Sequence, residues 1–105
     1  MAFTDVAINK IIHLYIEAIA ANHIEVEKVY LFGSYAHGTN HEDSDIDLAI
    51  VSKSFSGDRF DDRRRIVPLR RAIDRRLEPI PFNPENFKDN DPLVIEILNH
   101  GIEIK

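Results

Sequence analysis

A tight turn between two strand-like runs is the feature of this sequence that most constrains its fold. The first run, Lys28–Phe32, is short and ends at Gly33-Ser34. The second run, Asp45–Val51, opens with two carboxylates separated by a single residue and is apolar thereafter. Because side chains two positions apart in a strand point to the same face, Asp45 and Asp47 are predicted to project together beside the turn.

The residue types at this turn indicate a site for a metal ion and a phosphate. Two aligned carboxylates can hold a divalent cation, since Mg²⁺ prefers carboxylate and phosphate oxygens as ligands. Gly33 lets the backbone approach a phosphate without a clash from a Cβ atom. Ser34 begins a predicted short helix, where N–H groups favour anions, and its hydroxyl can bind phosphate, cap the helix, or do both. The pattern therefore favours metal-assisted phosphoryl or nucleotidyl transfer.

Two other phosphate and metal motifs fail at identifiable positions. Gly33 and Gly38 have the spacing of a P-loop, but Thr39 stands where a P-loop needs lysine. Three aspartates ending at Asp47 match the first ligands of an EF-hand, but Leu48 stands where that loop needs glycine. A capped loop beside a solvated, acidic strand edge accounts for either half of the pattern alone. It accounts less well for the two halves together.

The combined pattern resembles the signature of the DNA polymerase beta-like nucleotidyltransferase superfamily. That signature, G-S-x-x-x-G followed by [ST]-D-x-D-[LIV], is met here by Gly33-Ser34, Gly38 and Ser44-Asp45-x-Asp47. In size the chain is most similar to the minimal nucleotidyltransferases. The resemblance implies an α/β fold with a small mixed sheet backed by helices. It also implies transfer of a nucleoside monophosphate, expected to be AMP from ATP, to a hydroxyl group with release of pyrophosphate.

The same resemblance implies roles for individual residues. Asp45 and Asp47 are the expected ligands of two Mg²⁺ ions, and Gly33 and Ser34 are the expected contacts of the triphosphate. A third catalytic and metal-binding carboxylate is expected on a strand beside the second one. Glu78 is the candidate, although many family members carry Asp there. Asp74 is its rival, and a site with only two carboxylates stays open.

The resemblance also implies a partner. Larger relatives add a domain that binds the acceptor, and this chain is too short for one, so the acceptor is expected on another protein. In the minimal group that partner is a HEPN-domain protein, paired with the nucleotidyltransferase as toxin and antitoxin, and the acceptor is a tyrosine hydroxyl. Two alternatives stay open: a binding-only antitoxin with weak or no catalysis, and an enzyme that modifies a small molecule.

Length and composition limit the other function classes. The 105 residues fit one domain, 1–105, and the absence of cysteine excludes disulfides and fits the cytoplasm. No apolar run approaches the ~18 residues of a membrane span, so no membrane partner is expected. The formal net charge of −5 argues against a general nucleic-acid binder. Contact with nucleic acid is therefore expected only through the partner.

Hydrophobic periodicity and turn residues predict the remaining elements. An amphipathic helix is predicted over Val6–Ala21, with Thr4 or Asp5 as its N-cap. A basic helical pattern, Arg59–Arg76, either kinks at Pro68 or begins there. The other predicted elements are a first strand over Val26–Phe32, a third strand over Leu77–Phe82 that its prolines push to a sheet edge, a helix over Pro92–Asn99 and a tail over Ile102–Ile104.

The basic helix and two histidines leave further alternatives open. The arginines of Arg59–Arg76 allow three interpretations: a solvated face, a surface that binds a partner or nucleic acid, or a segment with one arginine that reaches the triphosphate. His37 and His41 lie near the motif and are either nucleotide contacts or ordinary surface residues of a polar loop. The spacing of these residues in the sequence decides neither the role of the arginines nor that of the two histidines.

Overall fold

Helices and strands follow one another along residues 5–105, the part of the chain that this computed structural model describes. No helix in that range is both long and apolar enough to span a membrane. In chain order the elements are α1 (Val6–Ala21), β1 (Lys28–Phe32), α2 (Ser34–His37), β2 (Ile46–Val51), α3 (Arg59–Ile66), a 3-10 helix (Val67–Ala72), β3 (Leu77–Phe82), α4 (Pro92–His100) and β4 (Ile102–Glu103).

The four strands form one mixed sheet in the order β3-β2-β1-β4. Strand β1 is antiparallel to β2 and to β4, whereas β2 and β3 are parallel. The parallel pair needs a crossover, which α3 and the 3-10 helix supply. The register places Phe32 opposite Asp47, and Asp47 opposite Glu78. The predicted α/β fold, its mixed sheet and the position of β3 at a sheet edge are therefore confirmed.

The core is divided between the two faces of the sheet. Helix α1 covers one face because its apolar residues recur every three or four positions, and Ile8, Ile12, Tyr15 and Ile19 are all buried there. Helix α4 covers the opposite face, where Val94 and Ile97 pack with residues of β2 and β3. Each such side chain contributes roughly 1.5–3 kcal/mol when fully buried. The isoleucine-rich stripe of α1 is thus core.

The ends of the first two long helical patterns follow from local chemistry. Asp5 is the N-cap of α1, since its carboxylate accepts a hydrogen bond of 3.1 Å from the N–H of Ile8. Thr4, the other predicted cap, lies outside the described residues. The predicted helix Arg59–Arg76 is shorter and divided, because proline cannot donate the helical hydrogen bond. Pro68 instead occupies the first turn of the 3-10 helix.

The largest correction concerns the C-terminal segment. Ile102–Ile104 was predicted to be a tail, but Ile102 and Glu103 form β4 and pair with Leu31 and Tyr30 of β1. This pairing covers the edge of β1 that would otherwise present unpaired N–H and C=O groups. Smaller corrections shift other boundaries: β1 begins at Lys28 instead of Val26, β2 at Ile46 instead of Asp45, and α4 ends at His100 instead of Asn99.

Candidate active site

The turn after β1 brings its backbone directly against the Asp47 side chain. Gly33 adopts φ 74° and ψ −149°, a conformation that side-chain-bearing residues rarely adopt. A Cβ atom built on Gly33 would also collide with the Asp47 carboxylate. Glycine is therefore required here for two reasons, its backbone angles and the close approach of a carboxylate.

Helix α2 is held by its flanking glycines. Gly33 is the N-cap and has no side-chain hydrogen bond, so the interpretation of Ser34 as the helix cap is wrong. Ser34 is instead the first residue of the helix, where backbone N–H groups have no intrahelical acceptor. Gly38 ends the helix in the left-handed conformation, with φ 73°, and donates its N–H to the Ser34 carbonyl. Gly38 thus serves backbone geometry.

A small turn before β2 orients Asp45. Ser44 is buried, and its hydroxyl accepts a hydrogen bond of 2.8 Å from the backbone N–H of His41. The N–H of Ser44 in turn donates to the His41 carbonyl at 3.0 Å. Asp45 follows at the strand entrance and is exposed, whereas Asp47 is half-buried. The serine of the sequence signature therefore shapes the backbone that presents the first carboxylate.

Asp47 lies in an unfavourable environment for a negative charge. Burial is the main cause that raises its pKa to about 6, and the charges of Asp45 and Glu78 raise it further. The structure thus brings three predicted site residues into electrostatic contact, with Asp47 at their centre. A divalent cation would relieve this repulsion, because it supplies opposite charge at the point where the carboxylates crowd.

Glu78 is beside Asp47 in the sheet, but its carboxylate is paired with arginines. Its Oε1 accepts a hydrogen bond of 3.1 Å from Arg70, and its Oε2 lies 3.8 Å from the Arg63 guanidinium. Consistent with this, no three His, Cys, Asp or Glu side chains within residues 5–105 are placed to hold a metal ion together. Asp45 and Asp47 fit a divalent cation by charge and ligand type. The three-carboxylate set stays a prediction.

Asp74, the rival third carboxylate, is engaged elsewhere. It lies between the 3-10 helix and β3, not within a helix as its sequence pattern predicted. Its carboxylate forms an ion pair of 2.9 Å with Arg76, and the hydrogen bond from Arg76 lowers the Asp74 pKa. Arg76 also donates to the Glu42 carbonyl at 3.2 Å and approaches the Tyr35 hydroxyl at 3.4 Å. This pair ties the start of β3 to α2 and to the loop before Asp45.

The basic segment supplies two residues whose role sequence reasoning missed. Arg63 and Arg70 donate hydrogen bonds of 2.9 Å to the carbonyls of Pro79 and Leu77 on the outer edge of β3. Both also face Glu78, so they belong to the surroundings of the site and not only to a solvated face. Their seven-residue spacing places them on one side of a helical pattern, which is the signal that could have found them.

Neither histidine near the motif contacts the carboxylates. His37 lies at the end of α2, where its Nε2 is 3.2 Å from Glu96 of α4 and its ring is 5.5 Å from that of His100. His41 serves the turn before Asp45 through its backbone N–H, which donates to Ser44, and through its Nδ1, which accepts a hydrogen bond of 3.3 Å from the N–H of Asp43. Both are exposed. Their positions favour the interpretation as surface residues that join α2 and the loop to their neighbours.

Solved structures share this arrangement of elements. A protein described as a nucleotidyltransferase from Sulfolobus solfataricus superposes with a TM-score of 0.65 and 25% identity, over 90% of this chain and 77% of that one. A toxin–antitoxin structure with AMP-PNP gives 0.64 and 22%, over 92% and 72%. A mutant of the toxin–antitoxin MntA-HpeT gives 0.60 and 21%, over 89% and 71%. These likenesses show the nucleotidyltransferase fold.

Sequence comparisons identify the family. The protein adenylyltransferase MntA of Shewanella oneidensis is 46% identical over 44 residues, which span 42% of this chain but only 29% of MntA. The profile of the family described as Polymerase beta, Nucleotidyltransferase matches residues 15–105. That match includes the Gly-Ser turn, both aspartates and all four strands. The chain belongs to the Polymerase beta nucleotidyltransferase family.

Proposed function

We propose that this protein is a magnesium-dependent nucleotidyltransferase that moves AMP from ATP to a hydroxyl group. The observation that carries the proposal is the close approach of the Gly33 backbone to the Asp47 carboxylate, with Asp45 and Glu78 near enough to raise the Asp47 pKa. This arrangement supports the proposal, because it sets a glycine turn that a phosphate can approach beside a carboxylate of the kind that binds divalent cations. ATP as the donor is consistent with a cytoplasmic location.

Each residue has a distinct role in the proposed reaction. Two magnesium ions, when bound, stabilise the charge on the attacking and leaving oxygens. Asp45 and Asp47 would hold these ions, and Gly33 and Ser34 would contact the triphosphate. The acceptor oxygen forms a bond to the α-phosphorus while the bond from that phosphorus to pyrophosphate breaks. Glu78 completes the carboxylate set and takes the proton of the acceptor hydroxyl.

The proposed acceptor is a hydroxyl, expected on a tyrosine, of a HEPN-domain toxin that this protein neutralises as an antitoxin. The short match to the adenylyltransferase MntA and the fold shared with toxin–antitoxin proteins support this choice. A second candidate function is a binding-only antitoxin with weak or no catalysis. The pairing of both Glu78 carboxylate oxygens with arginines favours it.

Metal-dependent nucleotide binding is the first test. Asp45→Asn and Asp47→Asn should each weaken binding of a non-hydrolysable ATP analogue with Mg²⁺ by tenfold or more, because each removes a charged ligand. Asp43→Asn is the matched control, since Asp43 is an exposed acid of the same loop. Isothermal titration measures all three variants. Unchanged affinity in both site variants, or in wild type without Mg²⁺, would contradict the proposed site.

Transfer to a partner is the second test. Co-expression with a HEPN-domain protein should yield a complex on size-exclusion chromatography, and mass spectrometry should detect AMP on a partner tyrosine. Glu78→Gln should lower transfer by about 10², the scale of a general base, while Asp74→Asn should leave it nearly intact. A complex without modification selects the binding-only antitoxin. Absence of both complex and modification contradicts the toxin–antitoxin proposal.

A further inference from the structure

The outer edge of β3 fixes the position of Arg70. Hydrogen bonds from Ile46 to the Arg76 carbonyl and from Ser52 to the Phe82 carbonyl show that even-numbered residues of this segment face β2. Leu77, Pro79 and Pro81 therefore point their backbone groups outward. Two of these residues are prolines without an N–H, so the edge presents mainly acceptors. Arg70 and Arg63 supply the donors that this edge lacks.

The same guanidinium that binds the edge also binds the third carboxylate. Nη1 of Arg70 donates to the Leu77 carbonyl at 2.9 Å and to Glu78 Oε1 at 3.1 Å. Because one nitrogen makes both contacts and the Arg70 side chain is only 27% exposed, moving this nitrogen away from Glu78 would also disturb its hydrogen bond to the strand. With Arg63 near Oε2, both oxygens of Glu78 face a positive charge.

We propose that Arg70 is a positioning residue that holds the Glu78 carboxylate in competition with a divalent cation and thereby weakens the second metal position. This inference rests on the proposed function. A cation that uses Glu78 must displace the Arg70 hydrogen bond and must also lie near a fixed guanidinium of like charge. The ion held by Asp45 and Asp47 alone meets neither obstacle. The two metal positions should therefore differ in affinity, and Arg70 should affect only the weaker one.

Titration with Mn²⁺ in the presence of a non-hydrolysable ATP analogue, followed by electron paramagnetic resonance of the free ion, tests this assignment. Arg70→Gln removes the charge but keeps an amide donor for the Leu77 carbonyl. It should tighten the weaker Mn²⁺ site by about tenfold, the scale of one hydrogen bond to a charged group, and leave the tighter site unchanged. Arg71→Gln, at an exposed neighbouring position, should change neither site.

A double-mutant cycle distinguishes positioning from a general effect of charge. In the Glu78→Gln background, Arg70→Gln should no longer tighten the weaker site, because the pair no longer exists. Arg70→Lys keeps the charge but places it on a shorter and more flexible side chain, so it should tighten the site by a smaller factor than Arg70→Gln. Because Arg70→Lys retains a cation at the edge of β3, it also provides a test if the glutamine variant does not fold.

The outcomes separate this inference from the proposed function. If wild type binds Mn²⁺ tightly through Asp45 and Asp47 but Arg70→Gln leaves the weaker site unchanged or weakens it, the inference is wrong and the proposed function stands. An equal effect in the Glu78→Gln background has the same meaning. If wild type shows no Mn²⁺ binding that depends on the two aspartates, both are wrong.

Discussion

At the scale of single residues, Asp47 is the described carboxyl group whose surroundings most disfavour a negative charge. It is the only one of the described carboxyl groups whose pKa is raised to about 6, with burial as the main cause and Asp45 and Glu78 as further causes. A half-buried carboxyl group with a raised pKa that lies against a glycine turn is typical of a functional position. The repulsion among Asp45, Asp47 and Glu78 is what a bound divalent cation would relieve.

The raised pKa of Asp47 predicts a pH dependence of stability. The unfolded chain releases this proton near the ordinary pKa of 3.8, whereas the folded protein keeps it until about pH 6. Between these values the folded state binds more protons, so the free energy of unfolding falls as pH rises. Asp47→Asn removes this loss. Its stability relative to wild type should therefore increase across this window and be constant above it.

Urea denaturation in the presence of a chelator measures this difference at the two ends of the window. Added Mg²⁺ at neutral pH should stabilise wild type and not Asp47→Asn, since the ion binds the ionised carboxylate. Asp43→Asn serves as the exposed control. A difference between Asp47→Asn and wild type that is equal at both pH values would show that the pKa is not raised.

At the scale of elements, local turns determine how each strand presents its side chains. The buried Asp62 carboxylate of α3 accepts hydrogen bonds from the N–H groups of Ser56 and Gly57, which holds the loop after β2 against that helix. In the turn after β1, the backbone of Gly33 likewise packs against the carboxylate of Asp47. In both places a carboxylate lies directly against the backbone of a turn.

Two glycines with nearly equal φ provide a controlled test of the β1–α2 turn. Gly33→Ala and Gly38→Ala both place a side chain at positive φ, a strain of roughly 1–3 kcal/mol. Only at Gly33 does the new Cβ atom collide with Asp47, because no atom lies within 4 Å of the position at Gly38. Gly33→Ala should therefore weaken binding of the Mg²⁺–ATP analogue by tenfold or more, as measured by isothermal titration.

Gly38→Ala should keep binding within about twofold while it loses stability from the same backbone strain. Circular dichroism melts establish that each variant is folded before the titration. If Gly38→Ala weakens nucleotide binding as much as Gly33→Ala does, the strain and not the collision with Asp47 is responsible, and Gly33 has no special relation to the carboxylate.

At the scale of the whole molecule, one buried hydroxyl joins the two helical segments on the α1 face of the sheet. Helix α3 ends at Ile66, which is also the N-cap of the 3-10 helix that follows. The hydroxyl of Tyr15 of α1 donates a hydrogen bond of 2.8 Å to the Ile66 carbonyl across 51 positions of sequence and so fixes α1 to this junction. Burial raises the Tyr15 pKa, so the phenol stays neutral and keeps its proton for this bond.

Tyr15→Phe should therefore lower the free energy of unfolding by about 1 kcal/mol, because it removes a buried hydrogen bond between α1 and the end of α3. Tyr30→Phe is the matched control: Tyr30 is half-buried and stacks on Phe87 at 5.4 Å, and its loss of a hydroxyl should change stability by about 0.5 kcal/mol or less. Chemical denaturation compares the two. Equal effects would contradict a specific role for the Tyr15 hydroxyl.

Much of the fold was predictable because it depends on neighbours in sequence. The spacing of apolar residues predicted both bounds of α1, and the prolines of Leu77–Phe82 predicted an edge strand with correct bounds. The Gly33-Ser34 turn and the two aspartates after it were also visible, since each needs particular backbone angles or alternation within a few residues. These features require no knowledge of distant parts of the chain.

Contacts between residues far apart in sequence decided the features of the fold and of the site that local patterns did not predict. Nothing local distinguishes Ile102–Glu103 from a tail, because its strand conformation depends on pairing with β1. Likewise, the sequence offered Glu78 and Asp74 as acids, but only packing assigned Arg70 and Arg63 to the first and Arg76 to the second. Patterns of neighbouring residues therefore determined most of the elements and the two aspartates, whereas β4 and the charge partners of each acid depended on which elements the fold brought together.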